Sequence, residues 1–144
     1  MSYLILVSHG RFSEGLKDAL SMFIGDDIET VKAIGLQSDD DVKVFGDRFR
    51  ALLTELNADS KLIVLGDIIG GSPLTEVINI LSQEDKLEKA TILGGMNFPM
   101  ALNAAILKDS LNEDELVPVV LKEATAAVKQ FTLTEESDED EDDI

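Results

Sequence analysis

Two runs of uninterrupted apolar residues, Tyr3–Val7 and Leu62–Leu65, constrain this chain more than any other feature. A strand that is apolar at every position must be buried on both faces, which a parallel sheet covered by helices on each side provides. Each run leads through a glycine-bearing turn into a stretch of helical period. The first stretch carries Phe12, Leu16, Ala19, Leu20, Phe23 and Ile24, and the second carries Leu74, Val77, Ile78 and Leu81. Gly25 with Asp26 and Asp27 closes the first helix. Ile28 to Ile34 alternates apolar and polar residues and predicts a strand nearer a sheet edge. Ser38 is then a candidate cap for a helix with the stripe Val42, Phe45, Phe49, Leu52, Leu53 and Leu56. Ala90–Leu93 predicts a fourth strand, and Asn97-Phe98-Pro99 opens a helix through Leu107. Asn112 and Glu115 form a capping box for a last helix, 113–129, in which Pro118 predicts a late start or a kink. Phe131–Thr134 is a candidate final strand. Strands alternating with helices imply an α/β fold, a doubly wound and mostly parallel sheet with helices on both faces.

The 144 residues fit one domain, expected over residues 1–134, and the 44% hydrophobic content is that of a globular chain. There is no cysteine and only one histidine, which removes disulfides, thiolate metal sites and any mechanism that needs two histidines in one subunit. No metal or cofactor is expected. The formal charge is −17, and residues 135–144 hold eight acids and no base, predicting a disordered, self-repelling acidic tail. Such a balance disfavours nucleic acid and anionic membrane surfaces, whose phosphates require Lys and Arg. The longest apolar runs, such as Leu116–Leu121, fall far short of the ~20 residues that span a bilayer. The N-terminus lacks a basic signal-peptide region, so a cytoplasmic location without membrane insertion is expected.

In an open α/β sheet, ligands bind beyond the carboxyl ends of the strands, where strand order reverses. Three glycine-rich segments occupy that edge: Ser8-His9-Gly10, Asp67 to Pro73, and Gly94 to Pro99. A lone histidine is usually structural, but His9 lies at a strand end before a helix N-terminus. An imidazole is a nucleophile at one nitrogen when the other keeps its proton. Asp67, at the neighbouring strand end, is placed to accept that proton and fix the tautomer; its plainer reading is a turn cap. Gly70 and Gly71 let the backbone approach an anion closely, Ser72 fits an N-cap and Pro73 fits the first helical position. Free N–H groups and the helix dipole there favour a phosphate. A histidine facing helix N-termini without metal ligands suggests a transferable phosphoryl group. Asn97, Phe98 and Pro99 read equally as a helix cap and as the rim of the site. Arg11 reads chiefly as solvent-exposed, with a phosphate or partner contact as the other reading.

Leu4 to Leu16 (LILVSHGRFSEGL), Asp67 to Pro73 (DIIGGSP) and Gly95 to Met100 (GMNFPM) together resemble the enzyme IIA component of the mannose-class sugar phosphotransferase system, the mannose/fructose/sorbose type. The resemblance runs in order over residues 1–133. It implies that His9 is phosphorylated at Nε2 by phospho-HPr while Asp67 holds the Nδ1 proton. It further implies that Ser72 and adjacent amides hold the phosphate oxygens, and that the group passes to a histidine of the IIB component, a separate polypeptide here. The membrane IIC and IID components would be served indirectly. The family's fold implies a homodimer that exchanges a C-terminal antiparallel strand, for which Phe131–Thr134 is the candidate.

Other readings stay open at this level. One is a phosphocarrier domain serving a dihydroxyacetone kinase. Another is a non-catalytic regulatory module that binds an anion. A Ser72–His9–Asp67 hydrolase lacks the Gly-x-Ser-x-Gly elbow, and a histidine phosphatase lacks its second histidine.

Overall fold

The computed structural model describes residues 1–133. Among them, β1 (Ser2–His9), α1 (Phe12–Ile24), β2 (Val31–Leu36), α2 (Val42–Thr54), β3 (Lys61–Gly66), α3 (Ser72–Gln83), β4 (Ala90–Leu93), α4 (Phe98–Leu107) and α5 (Glu113–Ala126) follow in order. The four strands are all parallel and lie in the order β2-β1-β3-β4. The chain therefore leaves β1 toward one side and, after β2, returns to the other. The reversal falls between β1 and β3.

Alternation along the central strands builds two separate cores. Leu4 and Leu6 of β1 and Ile63 and Leu65 of β3 face α1, α4 and α5, where they meet Leu20, Ala104 and Val120. Tyr3, Ile5 and Val7 with Leu62 and Val64 face the other way, against Phe45, Phe49, Val77 and Leu81 of α2 and α3. This is the doubly wound architecture expected from the two apolar runs.

Several local expectations are corrected. The alternating stretch that begins at Ile28 is not strand throughout. Gly25–Thr30 forms a 3-10 helix, and β2 starts at Val31. Thr30 Oγ1 donates to Asp27 O at 2.8 Å, so the side chain closes that turn instead of pairing in a sheet. The cap of α2 is Asp41, whose carboxylate accepts the Val44 N–H at 2.8 Å, and not Ser38. The α5 capping box is present, but the helix ends at Ala126 and Pro118 lies inside it without delaying its start. Phe131–Leu133 form no strand in the single chain. Thr134 and the acidic segment 135–144 lie outside the described residues. Among the described residues, no helix is long and apolar enough to cross a membrane.

Candidate active site

The reversal of strand order brings the ends of β1 and β3 side by side, and with them His9 and Asp67. Leu6 pairs with Leu65 and Val7 with Gly66; β3 ends there, while β1 runs on two residues beside β2 to His9. Asp67 Oδ2 stands 2.8 Å from His9 Nδ1 and also accepts the His9 main-chain N–H at 2.9 Å. The other oxygen, Oδ1, accepts the Ile68 N–H at 2.9 Å. An ionised carboxylate can only accept, so the proton belongs on Nδ1 and the lone pair on Nε2. The ring is half exposed whereas the Asp67 side chain is 17% exposed, which leaves the nucleophile open and its orienting group sheltered. Burial pushes the Asp67 carboxyl upward, but the His9 and Ile68 hydrogen bonds and the adjacent imidazole charge outweigh it, holding the carboxyl below its ordinary value.

The glycines make the close approach feasible. Gly10 turns the chain out of β1 at φ 56°, and Gly70 does the same after β3 at φ 91°. A Cβ on Gly71 would stand 2.9 Å from His9 Cε1, so the bare backbone at the start of α3 packs directly against the ring. Gly71, and not Ser72, is the N-cap of α3. Ser72 is the first helical residue, Pro73 follows it, and no side chain caps the helix. The Ser72 and Leu74 N–H groups at the helix start are thus left for another acceptor. This arrangement can hold an anion beside Nε2 with main-chain dipoles alone.

Asn97 caps α4 by accepting the Met100 N–H at 2.9 Å, and its amide donates to Ala124 O at 3.0 Å. Phe98 packs on Phe23, ring centres 5.1 Å apart, and Pro99 O accepts the Asn103 side chain. Among the described residues no hydrogen bond joins these three to His9. Their loop meets the site through Gly94, where a Cβ would stand 2.2 Å from Ile69 Cγ1. Arg11 is exposed and pairs with Glu14 at 3.4 Å. Phe12, Ile68 and Ile69 are exposed apolar side chains on the turns that carry His9 and Asp67.

Two buried serines that hold the turn after β1 were not singled out by the sequence. Ser8 Oγ accepts the Ser13 N–H at 2.8 Å, and Ser13 Oγ donates to Ile34 O at 3.0 Å. A strand residue thereby caps α1, whose own N-cap, Arg11, supplies no side-chain bond. Two serines five residues apart carry no such signal until the strand–turn–helix is built.

Fold and site together define an α/β domain that presents one carboxylate-oriented histidine at the switch point of a parallel sheet. The family described as PTS system fructose IIA component, EIIA-man, matches residues 3–121, and the chain belongs to it. It is 24% identical over 127 residues to the PTS system mannose-specific EIIAB component of Escherichia coli K12, covering 88% of this chain and 38% of that protein. The chain thus spans under two-fifths of the length of that curated relative. The mannose/sorbose specific IIA subunit of the phosphotransferase system from Enterococcus faecalis superposes with a TM-score of 0.78 at 25% identity, covering 92% of this chain and 96% of that one. The phosphotransferase system component EIIA from Streptococcus agalactiae does so with a TM-score of 0.76 at 27% identity, covering 91% and 98%. Its family and its fold are those of IIA-type components of phosphotransferase systems.

Proposed function

We propose that the chain is a phosphocarrier that takes a phosphoryl group from phospho-HPr onto His9 and passes it to a histidine of a IIB component. The Nε2 lone pair of His9 attacks phosphorus as the phosphorus–nitrogen bond to the donor histidine breaks. The Nδ1 proton stays on the ring throughout. Asp67 holds that proton and balances the positive charge the ring acquires. Main-chain N–H groups from Gly70 to Ser72, with the Ser72 hydroxyl, take the oxygens of the transferring group. Transfer to IIB reverses the same geometry, so positioning and electrostatics supply the catalysis and no metal or cofactor takes part. Asn97, Phe98 and Pro99 form the rim against which the partners seat. The carrier works in the cytoplasm as a homodimer that exchanges its C-terminal segment beyond α5, and serves the membrane IIC and IID components through IIB.

The 2.8 Å contact between His9 Nδ1 and Asp67 beneath a half-exposed ring is the observation that supports this reading most. Incubation with phosphoenolpyruvate, enzyme I and HPr, followed by intact mass measurement, tests it. The expected result is one acid-labile phosphate, absent in His9→Ala, which keeps its fold because the ring contributes little to either core. No phosphate on the wild type would favour a non-catalytic anion-binding module. Delivery to a dihydroxyacetone kinase instead of IIB would assign the chain to that related phosphocarrier class.

A further inference from the structure

The turn that carries His9 rests on the end of β2, and three successive residues of that strand each hold one part of it. Ile34 O accepts the Ser13 hydroxyl at 3.0 Å. Leu36 O accepts the Gly10 N–H at 2.7 Å. Between them, Gly35 has no side chain, and the Gly10 carbonyl oxygen lies 1.8 Å from where its Cβ would stand. In register, Ser8 lies opposite Gly35 and His9 opposite Leu36, so the contact flanks the histidine itself.

This contact has little freedom to relax. The obstructing atom is main chain, not the end of a flexible side chain. Real Cβ contacts essentially never fall below 3.0 Å, so a side chain at 35 would drive the Gly10 carbonyl back by about 1.2 Å. The Gly35 peptide is itself fixed on its other side, where its carbonyl accepts Arg48 Nη2 at 2.6 Å, and Arg48 is anchored to Asp40 at 2.9 Å. Ser8 and Ser13 are fully buried, so the α1 side of the turn is equally held.

We propose that the end of β2 is the seat that orients His9, with Gly35 and Ser13 as positioning residues: they set the direction in which Nδ1 meets Asp67 and Nε2 faces the incoming phosphorus. The kinetic part of this assignment rests on the phosphocarrier reading; the geometric part concerns the ring alone. A displacement of about 1 Å at a reacting group can slow a reaction by up to about a hundredfold.

The test uses Gly35→Ala, Ser13→Ala, Ser13→Thr and the control Gly15→Ala, whose Cβ would meet nothing within 4 Å. Two readouts apply: the single-turnover rate of phosphoryl uptake from phospho-HPr, and the NMR signal of the His9 ring Nδ1–H. Gly35→Ala should slow uptake roughly ten- to a hundredfold and shift or broaden the ring signal, while Gly15→Ala changes neither. Ser13→Ala should slow uptake less, and Ser13→Thr, which keeps the hydroxyl, should recover part of the loss. If Gly35→Ala does not fold, the Ser13 pair decides, because loss of the hydroxyl alone must move the ring signal. Wild-type rate and an unshifted ring signal in the folded variants would overturn the assignment. A wild type that takes up no phosphate would sink the carrier reading instead, and the ring signal alone would then judge the seat.

Discussion

Asp67→Asn replaces a charged acceptor by a neutral amide of almost the same shape. Three N–H groups converge on the carboxylate: the His9 main chain and ring on Oδ2, and Ile68 on Oδ1. An amide has one acceptor oxygen. Placed in the Oδ2 position, it keeps both His9 bonds in uncharged form and turns its NH2 toward the Ile68 N–H. Placed in the Oδ1 position, it faces the His9 main-chain donor with a second donor, and the ring can be satisfied only if its proton moves to Nε2, which blocks attack. The first arrangement has fewer conflicts, so the variant should retain some activity. Hydrogen bonds to charged partners contribute about 1.5–3 kcal/mol, against about 0.5–1.5 for neutral ones. As the ring becomes cationic, replacing the charged acceptor by the neutral amide oxygen should therefore raise the barrier by the difference, about 1–1.5 kcal/mol, with the half-exposed ring favouring the lower figure. At about 1.4 kcal/mol per decade, phosphoryl uptake should slow roughly 5- to 12-fold. Quenched single-turnover mixing with phospho-HPr, read by intact mass, measures it. A rate within about twofold of wild type would falsify the tautomer-holding role, because no placement of the amide preserves the charge.

The remaining predictions concern stability. Asp67 is lowered by its His9 and Ile68 bonds acting against burial, and Asp109 is lowered by Lys108 and the Ser2 N–H, again against burial. With folded values below the unfolded ~3.9, both carboxylates stabilise the protein fully above that value and lose the effect as pH falls through the folded values. Thermal melts from pH 7 to 3 should thus decline less steeply in the acid range for the double variant Asp67→Asn/Asp109→Asn; parallel curves would count against both assignments. The Lys108 ammonium is buried 2.8 Å from Asp109, whose own side chain is 53% exposed. Urea unfolding should accordingly show a loss of about 3 kcal/mol or more for Asp109→Ala, which strands a buried charge, and only about 1 kcal/mol or less for Lys108→Met. Asn97→Ala removes the α4 cap and the tie to Ala124, and the same measurement should register about 2 kcal/mol.

The central strands were legible because both faces of β1 and β3 are covered, so every position had to be apolar. The α1, α2 and α3 stripes followed from helical period, and α5 from its Asn112–Glu115 capping box. β2 was misread by three residues because Ile28 and Thr30 mimic strand alternation, while Ile28 packs on the core from a 3-10 turn. The cap of α2 was misplaced because Ser38, Asp39, Asp40 and Asp41 are all plausible caps, and only the backbone decides among them. The pairing of His9 with Asp67 could be anticipated from strand ends and known switch-point geometry. The part played by Gly35 could not, since its missing Cβ matters only once β2 lies in register beside β1.

His9 and Asp67 stand 58 positions apart along the chain, although they touch in the finished fold. At translation speeds of about 5–20 residues per second, the imidazole is added to the chain roughly 3–12 seconds before its carboxylate. During that interval the nascent polypeptide carries a histidine with neither a fixed tautomer nor an amide cradle. The contact between the two therefore forms only once the third strand has been made and docks beside the first.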